Sequence, residues 1–197
     1  MIKTINIEGM RDALDAFQYR QELHDRLFHT DIYTLSKPRR LAHLVLHQCK
    51  YISRLYASIK DAQGSTFQGI ERIATDGFIV AMSMANVCNT MMFESLKMED
   101  LTPDAACDRA IRAVGQLAKV VEDIDHMVLN SPLTQISALV RELVVIYLNI
   151  AAFQGMDTHQ FLDEAEKRLI DVEKKNIFFT RHAKEMDRLL STRQSAK

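Results

Sequence analysis

The sequence predicts an all-α protein, and three observations carry that expectation. Breakers are scarce, with six Gly and three Pro among 197 residues, which favours long helices. Apolar residues recur at near-helical spacing between charges along most of the chain. No segment reads as a strand. Hydrophobic content of 47% with 26% charged residues marks a globular, soluble composition able to build a core, not a disordered one. The length suits one domain or two fused half-domains.

Taken in order, residues 8–28 form an amphipathic helix whose stripe is Met10, Leu14, Phe17, Leu23 and Leu27. Residues 30–38 connect it to a second helix, which Ser36-Lys37-Pro38 initiates. That helix runs from about Pro38 to Ala62 on Leu41, Leu44, Val45, Ile52, Leu55 and Ile59, and Gln63-Gly64-Ser65-Thr66 breaks it. A third helix near residues 67–93 is apolar on most sides and therefore central; its methionines, Met82, Met84, Met91 and Met92, read as adaptable core packing. Thr102 caps the next helix and Pro103 occupies its first turn, and it runs to His126 or Met127. Asn130-Ser131-Pro132 opens another, ending near Gln154; its apolar run Leu143–Phe153 is shorter than the roughly 18–20 residues a bilayer requires, so it reads as a core helix. Gly155-Met156-Asp157 ends it and caps a last helix over about residues 158–190, followed by a frayed tail.

Lys50–Asp61 is echoed by Arg112–Asp123, and each copy is followed by an apolar helical run carrying one acid, Asp76 in Ile73–Asn86 and Glu142 in Leu139–Ala152. The offset is 62 at Lys50/Arg112 and 66 at Asp76/Glu142, so the copies differ in their connecting loops. Each hairpin joins one amphipathic helix to one nearly all-apolar helix that it cannot bury alone. The two hairpins should therefore stack into a four-helix arrangement with pseudo-two-fold symmetry and one shared core. The expected organisation is a single all-α domain over 1–197: an N-terminal helix and connector (1–36), a first repeat (37–97), a second repeat (102–178), and a C-terminal helix end and tail (179–197).

Net charge is −1 with acids and bases intermixed, so no nucleic-acid partner is expected. Cys49, Cys88 and Cys107 have no paired spacing and lie in apolar helical stretches, where a free Cys behaves as a small buried hydrophobe. The odd count and the lack of a secretory signal point to a reducing cytoplasm, with no membrane association. There is no glycine-rich phosphate loop and no nucleophile elbow.

Several polar groups stand out. Asp76 and Glu142 lie in apolar helices, where a carboxylate needs an ion pair, with Lys50, Arg112 or Arg141 as candidates, or a bound ligand or metal. His43, His47 and Lys50 share a helical face, with Arg54 one turn further on. They read as core or phosphate-facing groups in preference to a zinc site, because no third ligand is evident. Glu122, Asp125 and His126 sit at a helix end, where the bland reading is a solvated C-terminus with His favourable against the helix dipole.

Ala113–His126 followed by Glu142–Asp157 resembles the MazG-like all-α nucleotide pyrophosphohydrolases, a superfamily that includes dimeric dUTPases and phosphoribosyl-ATP pyrophosphohydrolases. The similarity covers roughly residues 105–178, with a weaker copy over roughly 40–97 that includes Leu41–Lys50. The resemblance implies Mg²⁺ held by an ExxE on one helix and an ExxD on the next, because residues three apart share a helical face and hard cations take oxygen ligands. It makes Asp76 and Glu142 the metal-ligand and catalytic candidates, Glu122 and Asp125 possible helpers, and His47, Lys50, Arg54 and Arg112 the phosphate contacts. The chain departs from the pattern. Ala113 and Gln116 fall at ExxE and Leu139 and Glu142 at ExxD in the second copy; in the first, Tyr51 and Arg54 (or His47 and Lys50) precede Ile73 and Asp76. Two readings remain open: an Mg-dependent hydrolase releasing pyrophosphate from a nucleoside triphosphate, or an inactive relative that binds a nucleotide or phosphorylated small molecule or serves as a helical interaction module. A fused repeat supplies internally the symmetry that single-copy relatives gain by dimerising, so a monomer or homodimer is expected.

Overall fold

The computed structural model describes residues 8–61, 69–93, 96–127 and 131–176. Among the described residues it is all-α. Helix α1 (Arg11–Phe28), entered through a short 3-10 turn, leads into the single turn α2 (Thr30–Tyr33) and then α3 (Lys37–Asp61), α4 (Ile70–Val87), α5 (Pro103–Asp125), α6 (Pro132–Phe153) and α7 (Thr158–Lys175). The expected extension of the last helix to residue 190 lies outside the described residues.

The helix boundaries follow the local chemistry. Thr102 accepts a hydrogen bond from the Ala105 amide at the start of α5, with Pro103 in its first turn. Asp157 and Gln160 form a reciprocal capping box at the start of α7. Gly155 takes the left-handed conformation (φ 77°) that ends α6. Helix α4 is shorter than the expected 67–93 span, ending at Val87; Asn89 adopts φ 52°, which turns the chain out of the helix.

Four helices pack as a ring: α3 lies against α4 and α5, and α6 against α5 and α4. Lys60 near the end of α3 donates to Asp104 at the start of α5 (2.9 Å), so these two helices run in opposite directions. Helices α1 and α7 cover the outer side of α4, which leaves α4 surrounded and explains its nearly all-apolar sequence. One continuous apolar core joins all these elements. Helix α6 is the one described helix long and apolar enough to cross a membrane by length and composition, and most of its apolar window is buried within the bundle. It is longer than the run Leu143–Phe153 suggests because the helix begins at Pro132.

At the centre, Tyr147 of α6 is fully buried, and its hydroxyl donates to Gln48 Oε1 (2.5 Å). Gln48 Nε2 donates in turn to the Gly77 carbonyl (2.9 Å), linking α3, α4 and α6. A Cβ at Gly77 would meet the Tyr147 ring, so this position requires the glycine for close helix approach.

Two expectations about burial are corrected. The buried face of α1 turns polar beyond Phe17: Gln18, Gln21, His24 and Asp25 are buried, while Leu23 and Leu27 are only half-buried. Positions 14, 17, 18, 21, 24 and 25 follow one helical face, and Leu23 and Leu27 fall beside it. Cys49 is exposed because it lies on the outer side of amphipathic α3; Cys88 and Cys107 are buried, and burial pushes the Cys88 thiol up to about 11. Of the methionines, Met82, Met84 and Met92 are core and Met91 is half-exposed.

Candidate functional site

Helix α3 commits Leu41, Leu44, Val45, Gln48, Ile52, Leu55 and Ile59 to the core. The adjoining face carries His43, His47, Lys50 and Arg54 at spacings of four, three and four, which keeps them in one row. The rings of His43 and His47 are 4.7 Å apart, and Lys50 Nζ lies 3.4 Å from His47 Nδ1 and 4.4 Å over the Tyr51 ring. A lysine has only donors, so His47 Nδ1 must be the acceptor there, and the imidazole is neutral. Burial, followed by Lys50, His43 and His29, lowers the His47 pKa to about 4, with Asp76 opposing. His29 is lowered in the same way, by burial first and then by His24.

Asp76 completes this face from α4. Its side chain is only 14% exposed and is held from two sides, by Arg168 Nε of α7 at 2.6 Å and by Arg72 Nε one turn before it at 3.3 Å. Tyr51 lies beside this group: burial raises its pKa, Asp76 adds to that, and Arg168, Arg54 and Arg72 oppose it. The hydroxyl therefore stays protonated and able to donate. His47, Lys50, Arg54 and Asp76, singled out from the sequence, thus share one surface with Arg72 and Arg168, which were not.

The remaining candidates lie elsewhere. Glu142 on α6 accepts from Arg109 Nε of α5 at 3.0 Å, and Arg109 Nη1 also reaches Glu99 at 2.5 Å. The Glu142 bond is the main reason the Arg109 pKa is raised. Arg112 is exposed on α5. Glu122 accepts from Lys119 at 3.0 Å, Lys119 also binds Asp123 at 2.8 Å, and Asp125 is exposed at the end of α5. A groove of about 350 Å³ between α5 and α6 is lined by Gln116, Lys119, Val120, Asp123, Gln135, Ala138 and Leu139. It holds two of the positions, Gln116 and Leu139, where the resemblance places metal ligands.

Mg²⁺ does not fit these residues as a preorganised site. Asp76 and Glu142 are each engaged by arginine, and they share no partner among the described residues. No three His, Cys, Asp or Glu side chains among the described residues group as a metal site. Both acids are in ion pairs, but with Arg72, Arg168 and Arg109, not with Lys50, Arg112 or Arg141. Arg168 escaped sequence reasoning because its partner lies 92 residues away.

A second polar assembly also went unread. Arg40 donates to Asp25 at 3.1 Å with both residues buried, and Gln21 donates to Asp25 and to Ser83 at 3.0 Å each. His24 Nδ1 lies 2.9 Å from Glu173, which Arg20 also binds at 2.6 Å. Its only signal was the run of polar residues on the same α1 face as Leu14 and Phe17. Each of these side chains has a protein partner, with the buried Gln21 Oε1 alone left without one among the described residues, so the assembly fixes α1 against α3, α4 and α7.

No protein-family model, no curated protein and no solved structure matches the chain.

Proposed function

We propose that this protein is a non-hydrolytic, MazG-like helical binder of a nucleotide or other phosphorylated small molecule. The two hairpins α3–α4 and α5–α6 are, in this reading, copies of one unit, and the protein is a monomer or homodimer. The observation that carries the reading is the face formed by His47, Lys50, Arg54, Arg72 and Arg168, where Asp76 is the carboxylate that enters and is already neutralised by arginine. Arginine and lysine recognise phosphate oxygens through charge-assisted hydrogen bonds. A carboxylate bound to a guanidinium is a poor starting point for a metal-bound water.

The test is to measure the melting temperature of the protein with ATP, dUTP and inorganic pyrophosphate, each with Mg²⁺ and with EDTA, while assaying pyrophosphate release. Stabilisation by at least one probe without turnover is the expected outcome. Mg-dependent pyrophosphate release would replace this reading with the hydrolase, with Asp76 and Glu142 as metal ligands. No response to any probe would leave neither.

A further inference from the structure

The Asp76–Arg168 pair has a geometry that an ordinary stabilising ion pair does not need. Arg168 uses Nε, at 2.6 Å, to bind Asp76 Oδ1, while its Nη1 is buried and has no hydrogen-bond partner among the described residues. A buried donor without an acceptor is costly, on the order of 1–3 kcal/mol, and native proteins seldom leave one without a reason. Asp76 also accepts from Arg72 of its own helix, whose Nε lies 3.4 Å from Oδ2, so each carboxylate oxygen is held by one arginine. Lys50, Arg54, Arg72 and Arg168 bring positive charge to the neighbourhood of Tyr51 and His47, and the carboxylate of Asp76 opposes them.

Such a set of donors suits an anion with several acceptor oxygens. We propose that Arg168 is the metal-free anchor for a phosphoryl group, with Asp76 as its positioning residue. Asp76 fixes the guanidinium plane through Nε, and the Nη edge takes the phosphate oxygens, while Lys50 and Arg54 add positive charge near Tyr51. A planar guanidinium held at one edge presents its remaining donors in a fixed fork, the geometry that suits bidentate phosphate recognition. The inference rests on the phosphorylated-ligand reading above and adds to it the anchoring residue and independence from a divalent cation.

The experiment measures binding of ATP and inorganic pyrophosphate to the full chain by calorimetry in excess EDTA. Wild type, Arg168→Lys, Arg168→Gln, Asp76→Asn and the control Lys167→Gln are compared, with a melting curve for each. Arg168→Lys keeps the charge and the pairing with Asp76 while removing the fork, so it separates recognition from folding. Binding by wild type and Lys167→Gln with EDTA present is expected, and at least tenfold weaker binding by Arg168→Lys and Arg168→Gln. Asp76→Asn should weaken binding while Lys50 and Arg54 remain in place. If wild type binds but Arg168→Lys binds equally well, or EDTA abolishes binding, the anchor is wrong and the phosphorylated-ligand reading survives. If wild type binds neither probe with or without Mg²⁺, both fall.

Discussion

Gly77 occupies a position where the fold leaves no room for a side chain. It sits in α4 where Tyr147 of α6 presses against the helix backbone, and any side chain there collides with the phenol ring. Gly77→Ala should destabilise the protein by about 1–3 kcal/mol through overpacking, although alanine favours a helix intrinsically. Thermal or urea unfolding checks this, and a stabilised variant would show that α4 and α6 can separate freely. Tyr147→Phe acts on the same contact in another way: it leaves the buried Gln48 Oε1 without its donor, at a cost of about 1–3 kcal/mol. The double variant Tyr147→Phe/Gln48→Leu should recover part of that loss, because it removes both partners of the bond. Recovery in a double-mutant cycle measures whether hydrogen bonding or packing dominates at this crossing.

At the scale of the element, α1 is held by polar groups where most docking helices use apolar ones. Leu14 and Phe17 reach the core, and the rest of its buried face is Gln18, Gln21, His24 and Asp25. Removing one partner of the buried Arg40–Asp25 pair, as in Asp25→Ala, leaves Arg40 only the longer contact to Glu22 at 3.9 Å, so the cost should stay below the about 3–5 kcal/mol of a fully stranded buried charge. Hydrogen exchange should show the loss first in α1 amides, while those of α6 keep their protection until global unfolding. Equal loss along both helices would mean that α1 is part of one cooperative unit. The helices themselves were legible in the sequence because caps and breakers are local: Thr102-Pro103, Ser131-Pro132 and Gly155 to Asp157 mark real boundaries. The face of α1 was legible only to Phe17, since the polar residues that follow are buried by partners on α3, α4 and α7 that a local pattern cannot supply. The same limit applies to the candidate site. The row His43, His47, Lys50 and Arg54 follows from helical spacing, whereas Arg168 reaches Asp76 only through the packing of α7 across α4.

For the whole molecule, the titrating groups act in one direction. His47 and His29 have folded-state pKa values lowered from 6.5, His47 to about 4, by burial first and then by neighbouring cationic groups. Above about pH 6.5 both states are neutral there and the folded chain keeps its full advantage. As pH falls from 6.5 towards 4 the unfolded chain binds protons first, and stability drops. Burial pushes the Glu173 carboxyl up, but hydrogen bonds from His24 and Arg20 outweigh it and hold the pKa below 4.5. That contribution is present above 4.5 and lost as pH falls through the folded value. His47 is partly solvated, so after discounting for screening its share is about 1–2 kcal/mol. The melting temperature should therefore fall steadily from pH 7 to pH 4, and His47→Gln should flatten the upper part of that curve; a wild-type curve that is flat over this range would refute the assignment.

Metal removal probes the molecule as a whole in a different way. A resident cation at 100 times its dissociation constant would add about 2.7 kcal/mol to the folded state. In a chain of this size each kcal/mol shifts the melting temperature by about 2–4 °C, so stripping such an ion would lower it by roughly 5–10 °C. Because Asp76 and Glu142 are satisfied by Arg168, Arg72 and Arg109, chelation of the ligand-free protein should leave its melting temperature unchanged. A drop of several degrees with EDTA, reversed by Mg²⁺ and abolished in Asp76→Asn/Glu142→Gln, would mean that the arginines give way to a cation. The hydrolase reading would then regain its metal.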